Sequence, residues 1–217
     1  MIERTIASST HGRYLVEPAG TAERAPLLVG FHGYAEAAET QLERLRSIPG
    51  SHGWLLVSVQ GLNRFYRRRS GDVVAGWMTR QDRELAIADN RAFIAAVVDQ
   101  VAEHWRIAHA LVFAGFSQGV AVAFRAACSS ARPISGVIAL GGDVPPEIDG
   151  AALARARTAL LGRGQHDEWY PPDLFAADEA RLREAGVDVG TVVLDGGHEW
   201  TPAFSTRAGA FLKRLTP

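Results

Sequence analysis

Phe113-Ala114-Gly115-Phe116-Ser117-Gln118-Gly119-Val120-Ala121, just past the middle of the 217-residue chain, is the stretch whose reading decides the fold. Its centre has the pattern Gly-x-Ser-x-Gly. Ala110 to Ala114 before it are apolar, as a buried strand requires, and Val120 to Ala127 after it suits a buried helix. A serine on a sharp strand-to-helix turn projects its hydroxyl clear of the sheet. Such a turn leaves no room for side chains two residues to either side, a demand that Gly115 and Gly119 meet. The helix that follows turns its positive end towards the site and favours developing negative charge there. Ser117 is therefore read as a nucleophile, against the alternative of a turn serine that caps the helix.

Working outward, short apolar runs alternate with helical patterns. Strands are expected over Pro26–Phe31, Trp54–Val59, Ala108–Phe116, Ile134–Leu140, Thr158–Leu161 and Gly190–Leu194. Their apolar character is continuous rather than alternating, so both faces of the sheet should be covered. The longest helix is expected over Asp82–Trp105, where Ile87, Ile94, Val98, Val101 and Trp105 share one side. Thr79 with Asp82 could cap its start. Two more helices are expected over Pro172–Ala185 and Thr201–Leu215. Such alternation predicts a mostly parallel sheet with helices on both faces. Ile2–Ala7 and Arg13–Val16, with no helix between them, are expected as an antiparallel hairpin at one edge. Leu62–Gly76 is expected to be irregular. No insertion is long enough for a separate lid domain, and residues 1–217 are expected as one domain.

A serine nucleophile needs a base, and the base an acid to orient it. On this kind of strand-turn-helix the chain order is Ser, then Asp or Glu, then His. Only His166 and His198 follow Ser117. His198 lies between the last apolar strand and the last helix, the place for the base; His166 directly precedes the preferred acid. That acid is Asp167, shortly after the fifth strand, with Asp143 after the preceding strand as competitor. The oxyanion donors are read as the N–H of Gln118, next to the nucleophile, and that of Tyr34, in the Phe31-His32-Gly33-Tyr34 segment ending the early strand. His32 precedes Ser117 and is read as pinning its loop. Trp77, Trp169 and Trp200 are candidates for walls of a substrate pocket, weighed against plain packing. Arg64, Arg67, Arg68 and Arg69 form a basic cluster, read as a solvated loop or as a seat for an anionic substrate group.

Bulk composition narrows the function. Lys+Arg number 23 and Asp+Glu 24, a balance that gives no general attraction to nucleic acid or to anionic membranes. No run approaches the roughly 18 apolar residues of a membrane span. No basic start followed by an apolar stretch marks a signal peptide. Cys128 is the only cysteine, which excludes an internal disulfide and suits a reducing compartment, so a cytoplasmic location is expected. Cys128 itself reads as a packed thiol. Neither metal-ligand spacing nor a phosphate-binding loop is present in the sequence.

Gly115-Phe116-Ser117-Gln118-Gly119, Phe31-His32-Gly33, Asp167 after Gly164, and Gly197-His198 together resemble the phospholipase/carboxylesterase family of α/β-hydrolases, which includes acyl-protein thioesterases. The resemblance runs from about Pro26 to the end of the chain. It implies an α/β-hydrolase fold and a cofactor-free serine esterase acting on small ester or thioester substrates, with Ser117, Asp167 and His198 as triad and Tyr34 and Gln118 as oxyanion donors. A homodimer is compatible with it. The sequence departs from the family at Val120, where a further glycine is frequent; at Arg163-Gly164, where His-Gly is usual; and at Ala35-Glu36, where Gly-Asp is usual. The alternatives are a hydrolase-fold binding protein with little chemistry, and an acyltransferase to a small acceptor.

Overall fold

The computed structural model describes residues 1–20 and 23–216. In chain order its strands are β1 (Arg13–Glu17), β2 (Ala25–Phe31), β3 (Leu55–Gln60), β4 (Asn63–Tyr66), β5 (Val73–Gly76), β6 (Ile107–Phe116), β7 (Gly136–Leu140), β8 (Thr158–Gly164) and β9 (Asp188–Leu194). Its α-helices are α1 (Ala38–Arg46), α2 (Arg83–His104), α3 (Gln118–Ser129), α4 (Gly150–Leu153), α5 (Pro172–Glu184) and α6 (Pro202–Leu215). Seven strands form one sheet in the order β1-β3-β2-β6-β7-β8-β9. Within that sheet only the β1–β3 pair is antiparallel among the described residues.

The central strands are apolar throughout because each face has its own helices. Leu27, Val29, Phe31, Leu111 and Phe113 point into one core with Ile94, Val97, Val98 and Val101 of α2, Val120, Ala123 and Phe124 of α3, and Phe175 and Leu182 of α5. Leu28, Val112, Ala114 and Phe116 point into the other, with Leu42 and Leu45 of α1 and Phe204, Ala208, Phe211 and Leu212 of α6. Successive strand residues thus fall into opposite cores, as the two-residue repeat of a strand dictates. The result is an α/β-hydrolase fold, with no separate lid domain among the described residues.

Three local expectations are corrected. Ile2–Ala7 is not a strand; its residues are exposed. The antiparallel edge exists, but β1 finds its partner in β3, through pairs such as Leu15 with Ser58. Leu62–Gly76 is not irregular: β4 and β5 form an antiparallel hairpin, with Asn63 opposite Gly76 and Tyr66 opposite Val73. Nor does Asp82 cap α2 through its side chain; it sits at φ 50°, ψ 35°, while the Thr79 hydroxyl bonds within its own turn.

Candidate active site

The turn at Ser117 explains its own glycines. Ser117 joins β6 to α3 at φ 52°, ψ −122°, a region costly for any residue but glycine. Its N–H donates to Leu140 O at 2.9 Å, and its carbonyl accepts from Val120 N–H at 2.9 Å. These bonds hold the strained residue against β7 and the first turn of α3. A Cβ on Gly115 would lie 2.4 Å from Gly119 O, and one on Gly119 would lie 2.1 Å from Phe31 O. Neither site admits a side chain.

From this turn Ser117 Oγ reaches His198 Nε2 at 2.8 Å. His198 Nδ1 lies 2.8 Å from Asp167 Oδ2. The carboxylate can only accept, so the proton is on Nδ1 and Nε2 is free to accept from the serine hydroxyl. The other oxygen, Asp167 Oδ1, accepts the N–H groups of Trp169 at 2.9 Å and Tyr170 at 3.0 Å. The Asp167 side chain is almost wholly buried. Of the two acid candidates Asp167 is the one in contact with His198; Asp143 is exposed and makes no side-chain hydrogen bond among the described residues. His166 is exposed as well.

The loops that carry Asp167 and His198 meet because β8 and β9 are neighbours. Their pairing continues past the strand ends, with Gln165 N–H donating to Leu194 O and His166 N–H to Gly196 O. Gly164 serves this close approach, since a Cβ there would lie 2.0 Å from Gly197 O. Arg163 is buried. Its Nε donates to Tyr170 O at 3.0 Å, which braces the acid loop from within. Gly141, at φ 67°, passes beneath the pair: a Cβ there would lie 3.1 Å from His198 Cε1 and 3.3 Å from Asp167 Oδ2.

On the other side lies the loop after β2. Among the described residues, the N–H groups of Tyr34 and Gln118 have no hydrogen-bond acceptor. The loop is held from three directions. Gly33 N–H donates to Glu36 Oε2 at 2.7 Å, and both terminal nitrogens of Arg44 grip Glu36 at 2.6 Å. The Arg44 guanidinium also lies 4.1 Å over the Phe116 ring, which in turn packs on His198. Burial alone would raise the Glu36 carboxyl; the bonds and charge of Arg44 and the Gly33 N–H outweigh it and hold it below the ordinary range. Glu36 is thus bound into the loop, a role invisible without Arg44 eight residues on.

His32 is fully buried, accepts from Gly61 N–H at Nε2 (3.0 Å) and approaches Gly33 O through Nδ1 (2.7 Å). It pins its loop, as its position in the sequence suggests. The Gln118 side chain, which sequence reasoning passed over, accepts from Trp77 N–H at 2.8 Å and donates to Met78 O at 3.1 Å.

The three tryptophans part company. Trp77 is fully buried: it packs on Phe31 and His32 and donates its indole N–H to His32 O at 2.8 Å. Being apolar with one donor, it is better served by the core beneath the loop than by the mouth. Trp169 is 81% exposed beside the acid. Trp200 is half-buried against Phe204 and donates to Ser205 Oγ. Tyr34 is exposed at the mouth, its ring 5.5 Å from that of Phe65. Cys128 is packed away from the triad, and burial pushes its thiol up to about 11.

Comparison with known proteins places this geometry among relatives. The family model described as Phospholipase/Carboxylesterase matches residues 21–216. No curated protein sequence matches the chain. Among solved structures, SOBER1 of Arabidopsis thaliana superposes with a TM-score of 0.72 at 17% identity, over 88% of this chain and 99% of that one. A Bacillus cereus carboxylesterase gives 0.72 at 16% identity, over 94% and 95%. A Mesorhizobium loti carboxylesterase gives 0.72 at 20% identity, over 93% and 94%. At such identities these likenesses speak for the fold.

Proposed function

The chain belongs to the phospholipase/carboxylesterase family, and from that premise we propose that it is a serine esterase working through Ser117, His198 and Asp167. His198 Nε2 takes the Ser117 proton as the hydroxyl attacks an ester carbonyl. The negative oxygen that develops is held by the N–H groups of Tyr34 and Gln118. His198 then protonates the leaving group, and an acyl-serine remains. Water, deprotonated by His198, releases the acid and restores the serine. Asp167 keeps the imidazole in its working tautomer and stabilises the imidazolium. Trp169 and Trp200 contact the substrate at the mouth. The reading extends to small thioesters and needs no cofactor.

The observation that carries it is the unbroken relay of two 2.8 Å contacts from Ser117 Oγ through His198 to a buried carboxylate. Two peptide donors without acceptors among the described residues, on the residue after the nucleophile and on the facing loop, support it. Each such donor typically matters by about 100- to 1,000-fold in rate. The test is Ser117→Ala with p-nitrophenyl acetate and a fluorophosphonate label. The variant should lose both turnover and labelling while its circular dichroism spectrum is unchanged. Turnover near the wild-type rate would remove the nucleophile.

A further inference from the structure

One buried carboxyl group takes no part in this chemistry, yet two loops of the site hang from it. Asp178, on α5, is 2% exposed. Its Oδ2 accepts the Tyr170 hydroxyl at 3.0 Å and Val144 N–H at 2.9 Å. Tyr170 belongs to the loop after β8, and its own N–H donates to Asp167 Oδ1. Val144 belongs to the loop after β7, which begins with Gly141 beneath His198 and Asp167. One turn further along α5, Arg181 donates to Val144 O at 3.0 Å, Pro145 O at 3.1 Å and Ile148 O at 3.2 Å. A short stretch of α5 thus grips both loops that enclose the acid–base pair.

We infer that Asp178 is a positioning residue for the triad: by tying Tyr170 and Val144 to α5, it sets Asp167 and the Gly141 backbone against His198. The inference rests on the proposed role of the triad. Burial is costly for a carboxylate. Desolvation pushes Asp178 up, and nearby Asp143 adds to that; Val144 N–H, the Tyr170 hydroxyl and Arg181 act the other way. A buried carboxyl with two directed donors from two separate loops acts as a fixed point between them. If it is removed, the Tyr170 hydroxyl loses its acceptor, the loop after β8 loosens, and the N–H groups on Asp167 Oδ1 drift from alignment. A small misplacement of such a group is felt in the chemical step more than in binding.

The experiment compares Asp178→Ala, Asp178→Asn and Tyr170→Phe with the wild type and with Ser117→Ala. Two readings are taken: kcat and KM on p-nitrophenyl acetate, and the downfield proton signal of His198 Nδ1–H by NMR. Asp178→Ala should lower kcat by about 10- to 100-fold with KM within about twofold, and should broaden or erase the Nδ1–H signal. Tyr170→Phe should go the same way by a smaller step. Asp178→Asn should keep both readings near wild type, because its amide oxygen can still accept from Tyr170 and Val144. If Asp178→Ala melts earlier but keeps kcat and the signal, Asp178 is only a fold-stabilising residue and the inference is overturned. Turnover surviving in Ser117→Ala would bring down the proposed function alone. The NMR reading does not depend on turnover and would still decide whether Asp178 sets the His198–Asp167 pair.

Discussion

Ser117 occupies a backbone conformation that costs on the order of 1–3 kcal/mol for a non-glycine residue. The surrounding bonds hold it there, and the return is a hydroxyl aimed at His198. Little of this could be read from composition, but Gly115 and Gly119 carried it, because only a crowded turn excludes a Cβ at both. The acid is a different case. Asp143 and Asp167 each follow a strand, and chain order alone does not choose between them. What separates them is two peptide N–H groups on one and solvent on the other, a difference made by the conformation of the Glu168–Tyr170 segment and not by residue type. Asp167→Asn should therefore lose most activity, by about 10,000-fold if the acid acts as in a serine protease with these roles, while Asp143→Asn should lose little. Both should stay folded by circular dichroism. Should the two variants exchange their effects, the acid would move to the loop after β7.

The β4–β5 hairpin is the element that local pattern failed to reveal. Its strands have four residues each, and Asn63-Arg64-Phe65-Tyr66 lacks a run of apolar residues because the strand is not in either core. What stabilises it is contact with the loop after β2. Ala35 N–H donates to Ala75 O, Ala75 N–H donates to Glu36 O, and Arg67 donates to Ala35 O. The opposite error came at Ile2–Ala7, whose β-rich residues pair with no strand, while β1 takes β3 as its partner. Long elements such as α2 and β6 were legible because their burial repeats over many residues. The hairpin also divides the arginine cluster. Arg67 is bound to the loop, and Arg64 donates to His11 O, whereas Arg68 and Arg69 are exposed and join no salt bridge among the described residues. Arg68 and Arg69 can therefore act at a distance on charge. Anionic esters should gain in kcat/KM at low salt relative to neutral ones, and the gain should fade as salt rises past a Debye length of about 10 Å at 0.1 M. Arg68→Ala with Arg69→Ala should weaken that salt response, the remainder coming from the charges of Arg64 and Arg67. Arg67→Ala should in addition slow neutral and anionic esters at every salt, through its loop contact. Identical salt curves for both ester classes in the wild type would leave the turn as an ordinary solvated surface.

Across the whole molecule, the sheet order brings distant parts of the sequence together. Ser117 follows β6, Asp167 follows β8 and His198 follows β9, so the order of these three residues along the chain is also their order across the sheet. That much was legible. The support beneath the loop after β2 was not, because His32, Gly61 and Trp77 are far apart in sequence and meet only through the pairing of β2 with β3 and the return from β5. This buried support has a consequence for acid stability. Desolvation lowers the proton affinity of His32 below that of an ordinary imidazole; Arg44 lowers it further, and the Gly33 carbonyl, Glu36 and Glu39 oppose. Its Nε2 is already occupied in accepting from Gly61 N–H, and protonation would break that bond. The unfolded chain therefore binds a proton near the usual value of about 6.5, where folded His32 does not. The stability it contributes is complete above that pH and is lost as pH falls through the folded value. Glu36 acts in the same direction lower down: its carboxyl is held below the ordinary range, so its contribution is present above about 4.3 and disappears on further acidification. The melting temperature of the wild type should accordingly fall between pH 7.5 and pH 5, over an interval where Glu36 stays charged. His32→Gln keeps one acceptor and one donor but cannot titrate. It should melt lower at neutral pH and lose less on acidification, so that the two curves converge. Parallel curves over that interval would mean that His32 keeps the same proton affinity folded and unfolded, and that its burial has no bearing on the acid response.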